Sequence, residues 1–207
     1  RYPLVTGVQT CALPIWAKSS LLIDGVSVLE LLVHALREAG AVDVSVVVAS
    51  GDGDGPLQPW IERSGAQPVR HLREGADLVG SQRLAVDHHR SRHPGHDLLI
   101  MPADLPLLRA AHLRPLIHAW QNRNPAIHAQ VPVVDGARGH PVLLAWDAVE
   151  AIHHAAESTG VRDWLRAHPE RVRMRPCEDE AHVFDIDTGE DVVRLSACIA
   201  PHAVSWP

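Results

Sequence analysis

Apolar residues along this chain fall into two patterns. Some form short, β-branched, almost unbroken runs, and others recur at helical spacing. Val42–Ala49 (VDVSVVVA) and Asp97–Met101 (DLLIM) belong to the first kind, as expected of strands covered on both faces. Val28–Ala39 belongs to the second: Leu29, Leu32, Val33 and Leu36 share one helical face. Ser27 and Glu30 have the spacing of a capping box, and Gly40 supplies a stop. The same reading predicts helices over Gln58–Ser64, Leu78–Arg90, Ala111–Asn122, Asp147–Ala156, Val161–His168 and Gly189–Ala197. It predicts strands over Ala66–Arg70, His128–Pro132, Pro141–Ala145, Arg171–Pro176 and His182–Ile186, a loop over Ser50–Pro56 and a turn over Asp135–His140. Strands that alternate with helices, with no repeat and no internal linker, specify a single α/β domain. The expected architecture is three-layered and doubly wound around a mostly parallel, Rossmann-like sheet.

Composition narrows the function classes. A net charge of −6 with His neutral gives no electrostatic reason to expect nucleic acid or a membrane surface as partner. No apolar run approaches the roughly 20 residues of a membrane span. No basic head with a long apolar core marks a secretory signal, so a cytoplasmic enzyme is the default expectation. Cys177 and Cys198 are isolated, which indicates neither a disulfide framework nor a zinc site. Fifteen His is a high count. His88, His89, His93 and His96 cluster in a polar, Arg-rich stretch without a HExxH or Cys partner, which reads as a solvated helix end and loop rather than a metal site.

In doubly wound sheets ligands bind beyond the carboxyl ends of the strands. Polar residues that follow strands are therefore the candidates: Ser50–Asp54, Asp104, the Gly136–His140 turn, and Asp185 with Asp187. Four segments carry the chemistry together: Lys18 with Ser19–Gly25, Pro102–Leu108 (PADLPLL), Asp135–Leu144 (DGARGHPVLL) and Phe184–Val192 (FDIDTGEDV). Singly, each has a plain alternative. Lys18 fits a surface lysine, Asp104 a cap for the next helix, Gly139-His140-Pro141 a hairpin. Asp187 with Thr188 fits an N-cap, and Asp191 the first turn of the last helix.

Taken in order, these segments resemble the MobA-like nucleotidyltransferases, and within them the molybdenum cofactor cytidylyltransferases. The resemblance runs from Lys18 to about Leu195. That family opens with a glycine-rich loop, LAAGxSxRMGxxK, whose last lysine matches Lys18. Its strand-end PLL element matches Ala103–Leu108. Its GxxGHPVLF element matches Gly136–Leu144 with Leu for Phe, and its DIDTPEDL element matches Asp185–Val192 with Gly for Pro. Gly80-Ser81 is the best candidate for the base-contacting GxxxS-type element. Asp163, in GVRDWL, falls in a short helical segment like one before the family's last strands.

The resemblance implies in-line attack by a substrate phosphate on the α-phosphorus of a nucleoside triphosphate, CTP or GTP, with pyrophosphate leaving. Positioning and charge neutralisation dominate such transfer. Mg²⁺ would take one or two carboxylates plus phosphates and water. Asp104 and Asp185 are the expected ligands, with Asp187 as the alternative second. Lys18 would neutralise phosphate charge. Gly139, His140 and Pro141 would face the acceptor, a molybdopterin-type cofactor, with a molybdoenzyme as the receiving partner. His140 is assigned to recognition and not to acid–base work, because a phosphate monoester is already ionised near neutrality. Three other readings stand beside this one. They are a guanylyltransferase acting on phospholactate, phosphoenolpyruvate or the molybdenum cofactor, a catalytically silent binding or delivery module, and a glycosyltransferase, which would need a DxD motif after Met101.

The N-terminus departs from the family. Val5–Ile15 (VTGVQTCALPI) is, codon by codon, the translation of a common sequencing adapter, whose last base would open the codon of Trp16. Residues 1–15 are therefore expected to be non-native. Residues 16–207 are expected to be a single nucleotidyltransferase domain lacking its native phosphate-binding loop. Leu4–Val8 is apolar enough to occupy the place of the missing first strand.

Overall fold

The computed structural model describes residues 2–6, 12–13, 16–48, 57–71 and 77–207. The expected loop over Ser50–Pro56 lies outside them. Seven α-helices are formed among the described residues: α1 (Val28–Glu38), α2 (Gln58–Ser64), α3 (Leu78–Arg92), α4 (Ala110–Gln121), α5 (Trp146–His154), α6 (Val161–Ala167) and α7 (Gly189–Cys198). None is long and apolar enough to cross a membrane.

The strand Tyr2–Thr6 pairs in parallel with Ala41–Val48, which pairs in parallel with Gln67–Arg70. Tyr2–Thr6 also runs beside Leu98–Ile100, so the N-terminal segment takes the expected first-strand place. Leu98–Ile100 pairs with Val142–Leu144, and Val142–Leu144 with Ala129–Val134, both antiparallel. Ala129–Val134 is further joined by Val172–Pro176 in parallel and by the two-residue strand Ala137–Arg138 in antiparallel. The sheet is thus mixed, with Val142–Leu144 reversed by the tight turn at Asp135 and Gly136. Both of those residues have positive φ, 49° and 84°.

Successive residues of a strand point to opposite faces, and two core layers follow from that alternation. Leu99, Met101 and Leu143 point to the layer built with α1, α2, α4 and α7, where Leu36, Ile61, Trp120 and Leu195 are buried. Leu98, Ile100, Val142 and Leu144 point to the layer built with α3, α5 and α6, where Val86, Ile152 and Trp164 are buried. This is the three-layer α/β sandwich.

The cap at α1 forms as the sequence specifies. Ser27 Oγ accepts from the Glu30 N–H at 3.1 Å, and the Glu30 carboxylate accepts from the Ser27 N–H at 3.0 Å. Asp97 lies just before its strand and ties two helices to it. It accepts from Trp120 Nε1 at 2.9 Å and from the Trp146 N–H at 3.1 Å, and pairs with Arg123 at 3.0 Å.

Two expectations are corrected. His182–Ile186 is not a strand. Asp179 caps a 3₁₀ turn at Glu180–His182, accepting from the Ala181 N–H at 2.9 Å, and Phe184 and Ile186 bury their side chains from irregular backbone. The His cluster is a solvated end only in part: His96 and its neighbours are exposed, but its centre is not. His89 is fully buried, with Nε2 at 2.8 Å from the His96 carbonyl oxygen, and His93 meets Asp43 at 3.1 Å.

Candidate nucleotide-transfer site

The first strand of the second half ends at Ile100, and the chain turns sharply through 101–106 before α4. That turn carries Asp104 to the carboxyl edge of the sheet. The Ile186 N–H donates to the Asp104 carbonyl oxygen at 3.1 Å, so the segment bearing Asp185 and Asp187 is fastened beside it. Asp185 reaches the site from this loop and not from a strand end, as the missing strand at 182–186 requires.

Lys18 opens the 3₁₀ turn Lys18–Ser20 and is buried with its neighbours. Its Nζ donates to the Asp187 carboxylate. Lys18, Asp104, Asp185, Asp187, Ser81 and His140 line one cleft of about 250 Å³, whose remaining walls include Leu78, Ile100, Val142 and Val161. The geometry thus brings together six residues drawn from five separate stretches of sequence.

The electrostatics of this cleft are carboxylate-rich. Burial raises the Asp104 carboxyl to about 6. Lys18 opposes the rise, while Asp185 and Asp187 add to it. Burial and Asp187 likewise raise Asp185. Asp104 Oδ1 is buried and has no hydrogen-bond partner. A buried acceptor without a donor costs free energy unless something satisfies it. A divalent cation fits that atom. Among the described residues no three His, Cys, Asp or Glu side chains converge as ligands. Asp104 and Asp185 could supply carboxylate oxygens to a divalent cation, whose remaining ligands would be phosphate oxygens and water.

Asp191 takes the expected structural place. Thr188 and Asp191 form a reciprocal cap at the start of α7, with the Thr188 N–H donating to Asp191 at 2.7 Å.

The GHP turn is positioned from behind by His182. The His140 N–H donates to the His182 carbonyl oxygen at 2.8 Å, and His182 Nδ1 lies 2.8 Å from the His140 carbonyl oxygen. Gly139 is required here for close approach. A Cβ at that position would sit 2.5 Å from the His182 carbonyl oxygen. Desolvation pushes the His140 imidazole down to about 4, so it is neutral at physiological pH. Pro141 follows in the backbone without lining the cleft.

Ser81 faces the cleft and lies 3.0 Å from His71 Nε2. Gly80 does not line it. The Gly80 N–H is used by the α3 cap Asp77, at 2.7 Å. Sequence reasoning missed His182, whose only signal was one more His in a His-rich chain. It also missed Gln82, next to Ser81, whose Oε1 accepts from the Val161 N–H at 3.0 Å and joins α3 to α6.

The model of the MobA-like NTP transferase domain family matches residues 17–172. The chain belongs to that family. It is a nucleotidyltransferase, and the MobA-like domain accounts for the fold around the cleft. Solved structures of similar shape include Rv0371c from Mycobacterium tuberculosis H37Rv. It is 21% identical with a TM-score of 0.71, over 95% of this chain and 98% of that one. The same protein in complex with manganese matches at 20% identity and a TM-score of 0.68, over 95% and 98%. A cytidylyltransferase from Leptospira borgpetersenii serovar Hardjo-bovis (strain JB197) is 14% identical with a TM-score of 0.72, over 96% of this chain and 86% of that one.

Proposed function

We propose that this MobA-like domain transfers a cytidylyl group from CTP to a molybdopterin-type molybdenum cofactor and releases pyrophosphate. The observation that carries the reading is the buried, unpartnered oxygen of Asp104 beside Asp185 and Lys18, in a cleft whose opposite wall is His140. Asp104 and Asp185 would hold Mg²⁺, and Asp187 shares the site through Lys18. Mg²⁺, when bound, supplies neutralisation of the triphosphate charge.

This chain's own residues do the rest. Lys18 places a cation beside the phosphates, where negative charge grows during in-line displacement. Ser81 sits where the nucleoside would lie. His140, kept neutral by burial, orients the acceptor by hydrogen bonding and leaves proton transfer aside. An ionised phosphate monoester needs no strong base. The GHP turn and the cytidylyltransferase likeness support CTP over GTP, and a molybdoenzyme is the natural recipient of the product.

Residues 1–15 are proposed to be adapter-derived, so that residues 16–207 are the native domain. The test uses the protein expressed with the codons that precede residue 16 in its source DNA. Pyrophosphate release is measured with Mg²⁺ and molybdopterin-type cofactor, offering CTP and GTP in competition. Preferential consumption of CTP is expected. Preferential consumption of GTP moves the protein to the guanylyl branch, and release that is independent of the cofactor rejects this acceptor.

A further inference from the structure

A second cavity of about 560 Å³ opens beside the cleft and shares His140, Gln82, Leu78, Val142 and Val161 with it. Its own walls add Arg138, Arg162 and Arg166 to the apolar Val131 and Leu165, and no carboxylate lines it. Among the described residues, Arg138 and Arg162 make no ion pair or side-chain hydrogen bond. Arg166 meets Asp163 only at 3.9 Å. Three guanidinium groups around one cavity stand out in a chain whose net charge is −6. Like charges brought together without counterions repel, and an anionic ligand relieves that repulsion. Guanidinium groups in particular match carboxylate and phosphate oxygens.

Resting on the nucleotidyl-transfer reading of the neighbouring cleft, we propose that this cavity binds the far end of the acceptor, and that this end is anionic. The attacking oxygen must reach the phosphorus held beside Lys18 and Asp104, and neither residue lines the Arg cavity. The anion held by Arg138 and Arg162 is therefore a different group from the one that attacks. The acceptor is accordingly an elongated molecule. One end is nucleophilic at His140, its body lies against Leu78, Val131 and Leu165, and its other end carries an anionic group distinct from the attacking phosphate. Arg138 and Arg162 stand at unspecified positions of the Gly136–Leu144 and GVRDWL segments, and Arg166 lies outside both.

Phenyl phosphate is a suitable probe, because it joins one apolar ring to one anionic group and needs no nucleotide. Its binding is measured by calorimetry at low salt to the full chain, to Arg138→Gln/Arg162→Gln and to Lys18→Gln. Both arginines are exposed, so the double variant is expected to melt like the parent. The parent should bind the probe, and the double variant should bind it about tenfold or more weakly, as loss of charge-assisted contacts implies. Lys18→Gln should retain most of the affinity. Equal binding by the double variant overturns the proposal, as does loss confined to Lys18→Gln or failure of the parent to bind at millimolar probe. Because no transfer is measured, failure here leaves the assignment of the neighbouring cleft to be judged by its own assay.

Discussion

Gly139 is fixed by what lies against it, not by its own torsion angles. The His182 carbonyl oxygen occupies the space a side chain would need. Gly139→Ala must therefore push apart the two hydrogen bonds between His140 and His182. We expect a loss of about 1–3 kcal/mol, in the range of overpacked sites, together with weaker acceptor binding. Denaturant melts and acceptor KM check both. A variant with unchanged stability would show that the 182 segment yields freely. At this scale the sequence was legible where chemistry and strand ends coincide. Lys18, Asp104, Asp185 and Asp187 do converge on one cleft. It was silent where a site is assembled from elements distant in the chain, since nothing local to Arg162 says that it faces Arg138. Gly80 shows the reverse limit, a motif position that the helix cap takes for itself.

The elements follow their local signals closely, and their energetics can be tested one at a time. Ser27→Ala removes the hydroxyl that accepts from the Glu30 N–H and keeps the backbone half of the α1 capping box; it should cost about 1 kcal/mol, read as a shifted denaturation midpoint with unchanged slope. The last turns of α3 hold a less visible device. Burial lowers the His89 imidazole to about 4 from 6.5, with its bond to the His96 carbonyl and the nearby Asp97 carboxylate opposing the fall. The unfolded chain takes up a proton there below pH 6.5, and the folded chain takes it up only near pH 4. Stability from this group is thus complete above pH 6.5, falls through that window and levels off below it. The loss is of the order of 3 kcal/mol. His89→Gln keeps a donor for His96 and should flatten that part of the acid melt. Parallel acid profiles for parent and variant would contradict the assignment. The sequence misread this helix end because Arg and His neighbours look solvated. Packing against Trp146, with ring centroids 6.5 Å apart, decided otherwise. The mistaken strand at 182–186 has a similar origin. Alternating Phe184 and Ile186 mimic a half-buried strand, but Asp179 directs the backbone into a turn.

For the whole molecule, alternation of strand and helix was enough to specify three layers, because each buried strand needs cover on both faces. The reversal of Val142–Leu144 is set by the turn at Asp135-Gly136, because a tight turn joins antiparallel neighbours whereas parallel ones need a long crossover. The layered frame then places two cavities side by side, one rich in carboxylates and one rich in arginines, with His140 between them. A fold that supplies cation ligands at one end and guanidinium groups at the other is suited to joining a metal-bound triphosphate to an anionic acceptor. The most direct measurement is Mg²⁺-dependent pyrophosphate release from CTP in the presence of molybdopterin-type cofactor, comparing the protein carrying its own upstream codons with its Asp104→Ala variant. The account predicts that Asp104→Ala keeps the parent's fold and loses about 10²-fold or more in kcat, as removal of a charge-stabilising group does. Turnover by Asp104→Ala at the parent's rate would contradict it.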